Sequence, residues 1–348
     1  MATATDIRRR RPLAVSMGDP AGIGLEITLR AWLERHERGL EPFVVFADKE
    51  ALADRARALG LVVPVATVAS PADAVDVFGT ELPVLHAPLS VRAQAGLGDS
   101  ANRHAIIAAI EAATSAVIRG EASAIVTNPI AKHVVRGDDF PFPGHTEFLA
   151  ALAERHFGRS YRPVMMLVSH ELRVVPLTVH CALASVPSAI TRGLIFETVR
   201  TTYSALKRDF GIAAPRIAVA GLNPHAGEEG TMGREEVDII APAIAELRSE
   251  GLSVTGPHAA DTLFHAAARR SYDAVVAMYH DQALIPLKTI GFDEGVNVTL
   301  GLPFVRTSPD HGTAFDIAAR GRASPTSFIE ALKLASAIVA ARGATILQ

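Results

Sequence analysis

Leu13-Ala-Val-Ser-Met17-Gly-Asp-Pro-Ala-Gly-Ile-Gly24-Leu-Glu-Ile-Thr-Leu-Arg-Ala-Trp-Leu-Glu-Arg35 decides the fold class. An apolar run of strand length, Leu13 to Met17, ends in a glycine-rich break, and an amphipathic helix follows from Ile23 to Arg35. The same alternation recurs along the chain. Strands are predicted at Phe43 to Ala47, Ala124 to Thr127, Val164 to Leu167, Val174 to Val179, Ile217 to Gly221 and Ala274 to Met278. Helices are predicted at Asn102 to Arg119, Arg192 to Asp209, Arg234 to Glu250 and Ser327 to Ala341. Short β-branched runs alternating with longer alanine-rich stretches imply an α/β architecture with mainly parallel sheets. No internal repeat or low-complexity linker interrupts it.

Composition bounds the rest. A chain of 348 residues, 49% hydrophobic and 20% charged, can bury a large core and divides into two domains. A net charge of −3 offers no field to gather nucleic acid or an anionic membrane, and 5% aromatic residues are too few for base-stacking platforms. Arg8 to Arg11 is read as a solvated tail, because no apolar segment of signal-peptide type follows it. Apolar runs stop well short of the roughly 18 residues of a spanning helix, so a cytoplasmic location is expected. The single cysteine, Cys181, fits a reducing compartment. It reads as a buried, inert thiol, the other reading being a thiolate ligand or nucleophile beside His180.

Chemistry concentrates in a few punctuated stretches. His180, His225 and His280 each stand at or near the end of an apolar β-type run, where a strand delivers a side chain to the rim of a sheet. Three neutral imidazoles leave positions open on a divalent ion, as a catalytic rather than a structural site requires. No local signature such as His-Glu-x-x-His accompanies them, and any one of the 13 histidines can instead be a surface or satisfied core residue. Met17 to Gly24 lacks both the Gly-x-Gly-x-x-Gly and the P-loop pattern, so it reads either as a phosphate-contacting turn or as a tight strand-to-helix turn. Phe140 to Phe148 either presents His145 and Thr146 to a ligand or starts a helix with Thr146 as its cap. Lys288, Asn297 and Arg306 together suit a phosphate monoester, since arginine offers a planar pair of donors and lysine a compact charge.

With these blocks quoted, the chain resembles the 4-hydroxythreonine-4-phosphate dehydrogenases of the vitamin B6 pathway. The resemblance is carried by Met17 to Gly24, Thr127-Asn-Pro-Ile-Ala-Lys132, Pro143-Gly-His-Thr-Glu-Phe148, Gly221-Leu-Asn-Pro-His-Ala-Gly-Glu228, Met278-Tyr-His-Asp-Gln282 and Gly301 to Ala314. It implies a two-domain fold similar to the isocitrate and isopropylmalate dehydrogenases. An outer α/β domain would hold 1–135 and 300–348, and a metal, substrate and dimerisation domain 136–299. The implied reaction is NAD- or NADP-dependent oxidation of 4-phosphooxy-threonine at C3, followed by loss of carbon dioxide to give 3-amino-2-oxopropyl phosphate. The implied metal ligands are His180, His225 and His280, holding Zn²⁺, Co²⁺ or Mg²⁺ in a homodimer whose site draws on both subunits. Substrate contacts fall on His145, Thr146, Lys288, Asn297 and Arg306, and cofactor contacts on His311, Gly312, Thr313 and Ala314. Asp261, Asp281 and Lys132 are the candidates for general base, each also readable as an ordinary salt-bridge residue. The sequence departs from the family at His180-Cys181-Ala182 and at Gly256 to Asp261, which bears on substrate choice. The nearest rival substrate is 4-phospho-D-erythronate, while Lys288 and Arg306 argue against an unphosphorylated cis-dihydrodiol. The readings from other classes are a non-catalytic metabolite-binding protein and an acyltransferase acting on phosphate.

Overall fold

The computed structural model describes residues 11–137 and 140–345, so Arg8 to Arg10 of the expected tail lie outside the described residues. In chain order the strands are β1 (Leu13–Ser16), β2 (Phe43–Ala47), β3 (Val65–Thr67), β4 (Leu82–His86), β5 (Ile125–Thr127) and β6 (Val164–Val168), then β7 (Arg173–Pro176), β8 (Arg216–Ala220), β9 (Ser253–His258), β10 (Ala274–Ala277), β11 (Val296–Leu300) and β12 (Arg306–Pro309). The longer helices are α1 (Gly24–Leu33), α2 (Lys49–Ala58), α3 (Arg103–Ile118), α4 (His145–Phe157), α5 (Arg192–Arg208), α6 (Ala241–Ser249), α7 (His280–Gly291) and α8 (Thr326–Thr345).

The chain divides into two compact units, Met1–Pro163 with Leu302–Val339 and Val164–Gly301 with Ala340–Gln348. In the first, the strands run in the order β3-β4-β2-β1-β5-β12, every pair parallel. Each residue of β1 and β2 is buried, as expected of strands covered on both faces. Helix α3 packs on β1, α1 packs on α2 and buries Leu25, Ile27 and Leu29, and α8 contributes Phe328, Ile329 and Leu332, all buried. In the second unit the order is β11-β6-β7-β10-β8-β9. The pairs β11–β6 and β6–β7 are antiparallel and the others parallel. The α/β class with mainly parallel sheets therefore holds.

Residues 136–163 sit with the first unit, whereas the resemblance had put them in the second. Their helix α4 packs on α3, and Phe148 stacks with Phe140 and Phe142 at ring separations of 4.9 and 5.3 Å. The end of α8 belongs to the second unit. There Arg342 and Arg208 both donate to the buried carboxylate of Asp209, which burial would raise but the two guanidiniums hold below its ordinary range.

Candidate active site

Parallel pairing explains why the three histidines all leave the sheet at the same edge. Strands β7, β10 and β8 are consecutive neighbours, and His180, His280 and His225 each follow the carboxyl end of one of them. The register pairs Val174 with Val275 and Pro176 with Ala277, so His180 and His280 leave their strands at nearly the same height. The chain after β7 stays tied to its neighbour: Leu177 N–H donates to the Ala277 carbonyl and the Thr178 hydroxyl to the Met278 carbonyl. The two imidazoles end 5.9 Å apart, centroid to centroid, and tilted by 39°. His280 opens α7, and its Nδ1 lies 2.7 Å from Asp281 Oδ1. A carboxylate there fixes the tautomer with the proton on Nδ1 and leaves Nε2 as a donor to an ion. Among the described residues no group of three or more His, Cys, Asp and Glu stands close enough within one chain to hold a metal.

His225 is carried by an unusual turn. From His225 to Glu229 the backbone is left-handed throughout, with φ between 42° and 79°. Each residue with a Cβ costs roughly 1–2 kcal/mol in that region, so the turn must be held from outside. Cys181, expected buried, is exposed, because it follows His180 off the end of β7 where no layer covers the chain.

A groove of about 470 Å³ in the second unit is lined by His280, Asp281, Leu284, Ile285, Lys288 and Thr289. Lys288 lies two helical turns beyond His280 on α7, which puts a cation on the same face as the imidazole. Asn297 is on β11 opposite Leu167, and its Oδ1 is buried without a hydrogen-bond partner among the described residues. Asp261 is exposed on a short turn, Ala260–Thr262.

In the first unit, Arg306 opens β12 and is 3% exposed. Its Nη2 donates to Thr127 Oγ1 at 2.8 Å, a contact set by the pairing of β12 with β5. Thr127 was not picked out as a site residue from the sequence. Its signal was its place at the end of a strand, just before Asn128-Pro129. Burial, opposed by Glu147, lowers the Arg306 guanidinium to about 10, so it stays charged at neutral pH. His145 begins α4 after the extended Gly144, and Thr146 lies in the first turn rather than at the cap. Burial first, and the neighbouring Arg306 charge second, push His145 down to about 3, so the imidazole is neutral at pH 7. Its Nε2 is buried without a partner among the described residues. Lys132 is exposed on the turn Lys132–Val135, its Cε near the backbone of Gly144.

The His145 shift makes a stability prediction. The folded pKa lies below the unfolded value of 6.5, so between pH 6.5 and 3 the unfolded chain binds a proton that the folded chain refuses. Folding stability should fall with acid in that window by up to about 1.4 kcal/mol per pH unit. The difference between wild type and His145→Gln in denaturant unfolding at pH 7 and pH 5 measures it; an unchanged difference would refute the buried neutral imidazole.

The first loop forms a tight turn: Asp19 N–H donates to Pro129 O, Gly22 N–H to Asp19 O, Ile23 N–H to Thr313 O and Ala21 N–H to Asp19 Oδ1, so these four donors are spent within the protein. Gly22 is required there, since a Cβ would lie 2.8 Å from Thr313 O. The loop thus props the stretch His311 to Ala314, whose Gly312 faces open space and whose Ala314 is left-handed with φ 43°. Beside it lies a cavity of about 890 Å³ lined by Pro20, Asp48, Arg55, Arg92, Gln94 and Ala319, among others. No motif marks this cavity, which is assembled from segments far apart in the chain.

Residues 39–335 match the family model for the pyridoxal phosphate biosynthetic protein PdxA. The chain is 57% identical over 327 residues to the 4-hydroxythreonine-4-phosphate dehydrogenase of Methylorubrum populi, covering 93% of each. A crystal structure of the 4-hydroxythreonine-4-phosphate dehydrogenase from Klebsiella pneumoniae superposes with a TM-score of 0.80 at 36% identity, covering 94% of this chain and 99% of that one. The terephthalate 1,2-cis-dihydrodiol dehydrogenase of Burkholderia xenovorans is more distant, with a TM-score of 0.60 at 26% identity, covering 94% and 98%. The relatives' identity over nearly the whole chain makes this protein an enzyme, a dehydrogenase. The chain belongs to the PdxA family, the 4-hydroxythreonine-4-phosphate dehydrogenases.

Proposed function

We propose that this enzyme oxidises 4-phosphooxy-L-threonine at C3 with NAD or NADP in the presence of a divalent metal ion. The C3 hydroxyl loses a proton and its carbon gives a hydride to the nicotinamide, producing 2-amino-3-oxo-4-phosphooxybutanoate. That β-oxo acid loses its carboxylate as carbon dioxide, and protonation at C2 yields 3-amino-2-oxopropyl phosphate, a precursor for pyridoxal 5'-phosphate. The carrying observation is the 57% identity to an enzyme of that name over nearly its whole length.

The chain's own residues suit this chemistry. His180 is exposed and His280 half-buried at one rim, and Asp281 engages the Nδ1 of the second, so the donor set fits a borderline divalent ion such as Zn²⁺ or Co²⁺ as well as Mg²⁺. When bound, the ion supplies a Lewis acid at the C3 oxygen and the nicotinamide accepts the hydride. We assign His180, His225 and His280 as ligands, and Asp281 to orienting His280 rather than to proton transfer. Asp261 and Lys132 remain the candidates to take the hydroxyl proton. Arg306, charged and buried, takes substrate anionic oxygens in the first unit, with neutral His145 and Thr146 beside it. Lys288 and Asn297 take them in the second. His311, Gly312, Thr313 and Ala314 contact the dinucleotide.

A homodimer follows from the same reading. His225 is not gathered with the other two histidines in one chain, and exposed apolar side chains lie close by, with Val179 and Leu183 flanking His180 in the chain and Ile285 lining the groove with His280. A second copy would cover that surface and complete the ligand set.

The test is NAD(P)H formation by chelator-stripped protein given 4-phosphooxy-threonine or 4-phospho-erythronate, with and without added divalent metal. Metal-dependent turnover preferring the threonine compound is expected. Preference for erythronate would keep the mechanism and change the substrate, and turnover of neither would overturn the proposal.

A further inference from the structure

The left-handed turn that carries His225 is locked by one buried carboxylate. Glu236, in the first turn of the helical segment leading into α6, is 2% exposed. Its Oε1 accepts the backbone N–H groups of both Leu222 and Asn223 at 2.7 Å. Its Oε2 accepts the Asn223 side-chain amide at 2.9 Å, and the same amide reaches Glu235 at 2.8 Å. The turn is fitted around this group without slack. A Cβ on Gly227 would stand 2.6 Å from Glu236 Oε2, and one on Gly233 would stand 2.3 Å from Asn223 Nδ2. A buried carboxylate needs such donors, and a run of left-handed residues needs such an anchor. Glu236 satisfies both needs at once, gripping the chain at Leu222 and Asn223, just before His225.

We propose that Glu236, with Asn223, is the positioning residue for His225: it fixes the left-handed turn so that the imidazole is presented already oriented to a divalent ion. The inference rests on the ligand role proposed for His225. The helix begins with a π turn at Glu236–Ile240, a local departure that lets the Glu236 side chain point back at residues 222 and 223 instead of along the helix surface. Glutamine at 236 would keep an acceptor for the two backbone groups but set an N–H against the Asn223 amide. It should loosen the turn without emptying the site.

The experiment uses full-length, chelator-stripped protein and Co²⁺ alone as probe, titrated by calorimetry and followed in its visible absorption. Glu236→Gln and Gly227→Ala are each expected to weaken Co²⁺ binding by about 10- to 100-fold, the usual effect of losing the support behind a ligand. Excess Co²⁺ should restore most of kcat to Glu236→Gln, which a merely destabilised fold would not do. Asp238→Asn, which breaks only an exposed pair with Arg234, should bind Co²⁺ as wild type does. Hydrogen exchange on the wild-type protein needs no variant: the Leu222 and Asn223 amides should be protected in the absence of metal, and exchange at free-peptide rates would overturn the proposal. Wild-type Co²⁺ affinity in Glu236→Gln and Gly227→Ala, with affinity lost in His225→Ala, would also overturn it and leave the ligand role standing. Undiminished affinity in His225→Ala would instead remove the ligand role on which it depends.

Discussion

Replacing His280 by alanine is expected to lower kcat/KM by a thousand-fold or more and to abolish tight binding of divalent metal, while thermal unfolding changes little. The side chain stands at the mouth of a groove and not in the core, so its loss leaves no cavity among apolar neighbours. Its Nδ1 is held by Asp281, so what disappears is an oriented donor on Nε2 and not a packing contact. An ion acting at a developing alkoxide is worth several kcal/mol, and each 1.4 kcal/mol is a factor of ten. Asp281→Asn should act more mildly, by about 10- to 100-fold on metal affinity, since an amide orients the ring with less charge. Metal content and turnover in both variants check this. Retention of stoichiometric metal and more than a tenth of wild-type activity in His280→Ala would remove His280 from the ligand set.

The sequence made the frame legible because hydrophobic periodicity is local. Strands such as Phe43–Ala47 and Ala274–Ala277 are continuous apolar runs, and helices such as Arg192–Arg208 repeat their apolar face within a few turns. Some of what was missed lacks that local signal. Strand Arg306–Pro309 reads Arg-Thr-Ser-Pro, polar throughout, and is a strand because β5 offers it a partner. Helix His280–Gly291 carries Pro286 within it, which argues against a helix in any window reading. The histidines were found because a strand end is visible in sequence. That His180 and His280 lie side by side depended on the register of β7 with β10, which is not. The turn at His225 to Glu229 was invisible for a stronger reason: four of its five residues are types that avoid left-handed backbone, and only the distant Glu236 makes the conformation tenable. Gly22, Gly227 and Gly233 are each required because a Cβ there would meet the protein's own backbone or side chains, a close approach that only the folded chain reveals.

Arg306→Ala should reduce kcat/KM by about 10²- to 10³-fold, mainly through KM for the phosphorylated substrate, and leave Co²⁺ affinity unchanged. Charge-assisted hydrogen bonds to a buried guanidinium are worth about 1.5–3 kcal/mol each, and a planar donor pair can make two. Lysine should restore little, because its single ammonium cannot reproduce both donors and must be buried without the guanidinium's weaker hydration. The loss should be nearly independent of pH from 6 to 9, since Arg306, at about 10, keeps its proton across that range and His145, at about 3, stays without one. That flat profile separates anion capture by Arg306 from proton transfer by His145, which would require an imidazole titrating near neutrality. A substrate KM that is unchanged in Arg306→Ala, or that rises only as the pH crosses 6 to 7, would rule out the fixed cation beside a neutral imidazole. In the favourable case, the pairing of β12 with β5 has a direct chemical consequence: it fixes the guanidinium against Thr127, so the substrate does not have to order that side chain before it can bind.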